Sequence, residues 1–303
     1  MLSVITCIRH PATAKDFGRV NELLQKTINS LHNQTNKNFE LFIVCNQGSE
    51  FNLNTYDIKT DMVYVDFPPT EHIVVVDEQS QQDKWNAFRK DKGTKCLAGL
   101  NAALKNKPEF IMFVDGDDYL HKGLVDYVDK NKENYDGFII DKGFGYKLGS
   151  DIAYEIEPFN LSCGTCNIYR AELFYPYLEQ AIYTNQQTIL NSVDDFMTYE
   201  ILGSHKHANE LFQREHAKFQ YIPFAAAMYI IDNGENDSGI NQVTFKARTL
   251  NAVIIEDFAL QTQPSLFFKR YYELLSYRFK AKIKKNKNSL LVRSLVNLKH
   301  RLH

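Results

Sequence analysis

The sequence predicts an α/β protein built on a mostly parallel sheet flanked by helices. Three observations predict it. Short apolar runs alternate with segments of helical period across the first half of the chain. The strand–helix–strand order recurs, and strands joined through helices pair in parallel. The runs close on Arg9-His10-Pro11, Asn46-Gln47-Gly48 and Asp115-Gly116-Asp117-Asp118, at strand carboxyl ends, where such sheets hold their ligands.

The elements follow in order. Residues 2–8 read as a strand. Val20, Leu23, Leu24, Thr27, Ile28 and Leu31 recur at helical spacing and predict an amphipathic helix over 18–32. Residues 39–45 form an apolar strand closed by a turn cluster. Residues 62–67 form a third strand, stopped by Pro68-Pro69. The polar stretch 77–91 reads as a loop. A helix then opens at Lys92-Gly93-Thr94, with Cys96, Leu97, Leu100, Ala103 and Leu104 as its apolar face and Pro108 beyond its end. Residues 110–114 are a buried strand.

The second half is less regular. Residues 136–141 predict a strand, followed by a loop rich in glycine (Gly143, Gly145, Gly149). Residues 167–170 look like a strand end. A helix is expected to begin near Asp194-Asp195, with Ser192 as its N-cap. Residues 219–231 form a strand region that ends in a loop at 232–239.

Composition narrows the class. The 303 residues are 44% hydrophobic and 24% charged, enough to bury a sizeable core. The net charge of -2 is unevenly spread. Eleven lysines and arginines face one acid, Glu273, over residues 269–303, leaving a net of -12 before them. Aromatic and aliphatic residues alternate with those bases, the pattern of interfacial helices drawn to an anionic membrane surface. The acidic body argues against nucleic acid. The first apolar stretch is too short for a signal peptide, and no stretch approaches a membrane span. A cytoplasmic protein, peripheral at the inner face of the plasma membrane, is expected. Five cysteines without framework spacing suit a reducing compartment. Cys163-Gly-Thr-Cys166 has no second pair to complete a zinc site and reads as two buried or strand-end cysteines.

The carboxylates at 115–118 carry the chemistry. Three carboxylates at the end of a core strand repel one another and are costly without a cation or a dense set of donors. A hard divalent metal that also grips phosphate oxygens answers that cost. A calcium loop of the EF-hand type fails, because Tyr119 and Leu120 stand where a ligand and a glycine are needed. A phosphohydrolase with Asp115 as nucleophile, and a plain acidic turn, remain as alternatives.

Five segments together resemble the family 2 glycosyltransferases, in register over residues 1–125. They are Ile5-Thr6-Cys7 with Pro11; residues 27–31 with Gln34-Thr35; residues 40–44; residues 93–101; and Phe113-Val114-Asp115-Gly116-Asp117-Asp118. The resemblance implies a GT-A domain over 1–245, with a nucleotide-sugar-binding half at 1–125 and an acceptor half at 126–245. A basic amphipathic helical extension follows at 246–303. It implies a nucleotide-sugar donor, a UDP-sugar, and Mn²⁺ or Mg²⁺ held by Asp117, with Asp115 near the ribose and within reach of the metal. Arg9, Pro11, Asn46, Lys92, Lys95 and Gly116 would line the donor, Asn46 standing where the family carries a base-reading Asp. Lys92 and Lys95 would reach the diphosphate. Asp194-Asp195 resembles the family's acidic pair, with Asp195 as the base for in-line, inverting transfer to a glycan or lipid-linked acceptor of a bacterial surface polysaccharide. Asp232 stands near the place where some members carry a metal-binding His and would substitute as an oxygen ligand, with a purely structural loop as the alternative. His205 and His207 read as solvated. Asn46 and the missing His leave a non-catalytic, membrane-docked nucleotide-sugar binder as a further alternative.

Overall fold

The computed structural model describes residues 1–235, 246–261 and 274–277. In chain order its strands and helices are β1 (Leu2–Cys7), α1 (Phe17–His32), β2 (Phe39–Asn46), β3 (Thr60–Val65), α2 (Glu78–Leu104), β4 (Phe110–Asp115), β5 (Tyr119–Leu120), α3 (Leu124–Asn131), β6 (Gly137–Ile139), β7 (Gly143–Lys147), β8 (Ile152–Ile156) and β9 (Asn167–Arg170). Then come α4 (Tyr175–Leu178), α5 (Gln186–Ser192), a π-helical segment at Phe196–Leu202, α6 (Ala208–Arg214), β10 (Phe219–Tyr221), β11 (Ala227–Ile231), β12 (Lys246–Thr249) and α7 (Ala252–Asp257).

A seven-stranded sheet runs β10-β6-β9-β4-β1-β2-β3. The pairs β4–β1, β1–β2, β2–β3 and β10–β6 are parallel, and β9 runs antiparallel to both its neighbours. This is the mostly parallel sheet that strands alternating with helices predict. Every residue of β2 is buried, as expected of a strand covered on both faces. Alternate side chains serve two cores. Val4, Leu41, Ile43 and Met112 pack with Leu24 and Ile28 of α1, whereas Ile5, Phe42, Val44 and Ile111 pack with Leu97 and Leu100 of α2. A second sheet, β12-β8-β7-β11-β5, carries its own aromatic cluster around Phe144, Tyr146 and Phe258. Because β5 begins at Tyr119, directly after the carboxylates, the two sheets meet at that cluster.

Several boundaries differ from expectation. The stretch expected as a loop at 77–91 is the first half of α2, which begins at Glu78 and not at Lys92. Asp77 and Ser80 form a capping box, with the Ser80 amide donating to Asp77 Oδ1 at 2.8 Å. Side-chain pairs one turn apart, Gln79–Asp83 and Gln82–Asn86, support the solvated turns. Residues 143–147 are strand β7, not a glycine-rich loop. Ser192 ends α5, capped by Asn185, and does not start a helix. Of the expected extension 246–303, the described residues form β12, α7 and one turn at 274–277; the rest lies outside the described residues. Among the described residues no helix is long and apolar enough to cross a membrane.

Candidate active site

A cleft of about 790 Å³ opens at the carboxyl ends of β1 and β4. Parallel register sets Cys7 beside Asp115, so both strands deliver their last residues to its wall. At its floor Lys92 Nζ of α2 donates to Asp115 Oδ1 at 2.5 Å. Burial pushes the Asp115 carboxyl up, but the Lys92 ammonium more than offsets this and holds it below its ordinary value. Burial alone lowers Lys92, and Asp115 raises it well above the usual range instead. Gly164 makes room for the pair. A Cβ there would lie 2.6 Å from Asp115 Oδ2 and 2.7 Å from Lys92 Nζ.

Asp117 and Asp118 diverge in role. Asp118 is fully buried and accepts from Cys163 Sγ at 2.9 Å, Thr165 Oγ1 at 2.6 Å and the Ile230 amide at 3.2 Å. Burial, then the neighbouring Asp117 and Asp115, raise it well above its ordinary value. Asp117 lines the cleft and accepts a hydrogen bond at 2.6 Å from Asn233 Nδ2. Burial and the Asp115 charge push it up to about 6. The loop Cys163-Gly164-Thr165 therefore cradles the cluster. It supplies two donors to Asp118, and its Thr165 hydroxyl accepts from the Asp115 amide at 2.9 Å. The two cysteines are buried, as the sequence predicts, but the spacing gave no hint that one of them faces a carboxylate.

The expected site residues sort by position. Arg9, Lys92, Lys95, Asp115, Gly116 and Asp117 line the cleft. Pro11 sits beside Ala12 and Thr13, which also line it. Lys95 is 1% exposed and is engaged by the Ile8 carbonyl and Asp91 Oδ2, each at 3.0 Å, pinning α2 to the end of β1. Asn46 is 2% exposed and lies behind the wall. Its Nδ2 donates to the Phe67 carbonyl at 2.7 Å, and its Oδ1 has no partner. Asp194 and Asp195 are exposed at the head of the π-helical segment, whose other end, Gly203, reaches the cleft. Asp194 Oδ1 accepts from the Phe196 amide at 2.7 Å. Asp232 is exposed, in a left-handed backbone conformation with φ of 54°, and pairs with Lys147.

Sequence reading missed four participants. His205, expected as solvated, lines the cleft, and burial first and then Lys92 lower it to about 4, so it is neutral at neutral pH. Asn233, next to the expected Asp232, is the residue that reaches Asp117. Glu235 accepts from the amides of Lys15 and Asp16 at 3.3 and 3.0 Å, tying its loop to the segment after β1. Thr165 is the fourth. These contacts span up to 220 residues of chain, and no local spacing announces them.

The donor set suits a metal ion. Asp115, Asp118 and Cys163 each bring a ligand atom within 4.8 Å of the others. Asp118 and Cys163 are already bonded to each other, however, whereas Asp117 is an under-neutralised carboxylate open to the cleft.

No family model matches the chain, and no curated protein matches it. Solved structures do. S. aureus TarS 1-349 aligns with 18% identity over 76% of this chain, at a TM-score of 0.41. The same protein in complex with UDP-GlcNAc aligns with 14% identity over 91% of this chain and 71% of its own, at 0.39. The 4-diphosphocytidyl-2C-methyl-D-erythritolsynthase from Anaerococcus prevotii DSM 20548 aligns with 14% identity over 79% of this chain and 93% of its own, at 0.38. The chain spans 60% of the TarS 1-349 chain. These likenesses are in general layout and carry no argument about the reaction.

Proposed function

We propose that the protein is a metal-dependent, inverting glycosyltransferase. It moves a sugar from a nucleotide-sugar, a UDP-sugar, to a glycan or lipid-linked acceptor in the building of cell-surface polysaccharide. The cleft floor carries the reading: one buried-stem ammonium, Lys92, stands against Asp115 while Asp117 waits un-neutralised beside it. Such a floor is incomplete by one cation, and a diphosphate with its metal completes it. Asp117 and Asp115 are the residues that hold Mn²⁺ or Mg²⁺, which supplies Lewis-acid stabilisation to a departing diphosphate.

The chain's own groups do the rest. Lys92 can trade Asp115 for a phosphate oxygen by rotating its stem. Arg9 adds a second cation to the wall. Asp195 is the proton acceptor for the attacking hydroxyl. The basic segment 269–303 holds the protein on anionic lipid at the inner face of the plasma membrane.

Titration calorimetry with UDP and Mn²⁺ tests the reading. Binding of UDP that depends on the metal and is lost in Asp117→Asn is expected. Heat-silent mixing with UDP, with or without Mn²⁺, overturns the UDP-sugar assignment. Asp195→Asn should abolish transfer and spare UDP binding; transfer that survives moves the base to a cleft-lining group such as Glu235 or His205.

A further inference from the structure

Cys7 and Cys96 face one another across the joint between β1 and α2, with their sulfurs 3.5 Å apart. Cys7 is the last residue of β1, half-buried on the cleft wall. Cys96 is buried behind it on α2, one turn beyond Lys92. The two are 89 residues apart, and no motif links them. The CxxC spacing that invites a redox reading belongs to Cys163 and Cys166, and there the geometry denies it. Cys163 Sγ turns to Asp118 at 2.9 Å, whereas Cys166 Sγ turns to the Asn160 carbonyl at 3.9 Å. All five cysteines are free thiols.

We propose that Cys7 and Cys96 are an oxidation site, a thiol pair that closes to an intramolecular disulfide when a small two-electron thiol oxidant enters the cleft. The sulfurs have to approach from 3.5 Å to about 2.05 Å, within the reach of small side-chain rotations. Cys7 is the thiol the oxidant meets first, and Cys96 resolves it. With an azo oxidant, the Cys7 thiol adds across the N=N bond. The Cys96 sulfur then displaces the hydrazide, the S–S bond forms, and both thiol hydrogens end on the two nitrogens. The thiols are oxidised and the azo compound is reduced to a hydrazine. Burial and the Cys96 thiol hold Cys7 well above its ordinary value, so it carries little thiolate and reacts slowly, and a strong thiol oxidant is needed to close the pair. Once closed, the bond ties the end of β1 to the turn of α2 that follows Lys92, and it locks the floor of the cleft.

The full chain is treated with diamide, its remaining thiols are alkylated, and the tryptic peptides are weighed. The expected product is residues 1–9 joined to residues 96–105, with three of the five cysteines alkylated, reversal by dithiothreitol, and an unfolding midpoint raised by several degrees. Cys7→Ser and Cys96→Ser should each remove the joined peptide, although the wild-type measurement stands without them. Five alkylated cysteines, an internal bridge within residues 148–170, or a disulfide-linked dimer would each overturn the proposal. No nucleotide enters the experiment, so its failure leaves the transferase reading untouched.

Discussion

Asp117 shows how a residue's job opposes its comfort. Its carboxyl is pushed up to about 6 by burial and by Asp115, above the 3.8 of an ordinary aspartate. A group raised in this way lends its full contribution only while protonated. Stability is highest below the unfolded value and is lost as pH rises through about 6. Asp117→Asn should therefore stabilise the metal-free protein at pH 7.5, by up to ~3 kcal/mol, and leave it unchanged near pH 3.5. Chemical denaturation at the two pH values checks this; equal stability of both proteins at pH 7.5 refutes the environment described for Asp117. Metal affinity of the native protein should fall with acidification through the same range, because the ligand must be ionised. Asn233 keeps its partner in the variant, since the new amide offers an oxygen in the same place.

Among the elements, α2 joins a solvated half to a buried one. Gly93, Thr94, Cys96, Leu97 and Leu100 are buried, whereas residues 78–91 are partly or wholly exposed. Only the second half has an apolar face, and so only that half is legible as a helix from its residues. The first half stands on its cap, its i,i+4 pairs and the turns it continues into. Asp77→Ala should cost about 1 kcal/mol and raise amide exchange over residues 78–91 while leaving 96–104 protected. Uniform exchange along the whole of α2 would show that the cap does not govern the solvated turns. The same contrast explains what else was legible. β1, β2 and β4 announce themselves because their apolar runs match their burial, and the carboxylates announce themselves by sitting after one of them. Thr165, His205 and Asn233 do not, because each lies in a loop and meets the carboxylates through contacts far along the chain that a local pattern does not encode.

Over the whole molecule, charge is divided between an acidic folded body and a basic segment at 269–303. Removing that segment should release the protein from anionic liposomes while leaving UDP and Mn²⁺ binding intact, as sedimentation and calorimetry would report. Retained liposome binding places the attachment elsewhere on the surface. At this scale the parallel layout was readable and the second sheet was not, since β7 is glycine-rich and β5 is only two residues long.

The cradle around Asp118 also bears on how the chain can be cut and in what order it can mature. Asp118 emerges from the ribosome 45 residues before Cys163 and 112 before Ile230, its later partners. Until those arrive, the turn that follows β4 carries a carboxylate whose native resting place does not yet exist. A fragment stopped at residue 161 contains β1 to β8 and the carboxylates at 115–118 and should nonetheless lack a cooperative unfolding transition by circular dichroism. The carboxylates after β4 are completed only by residues that follow them far along the chain.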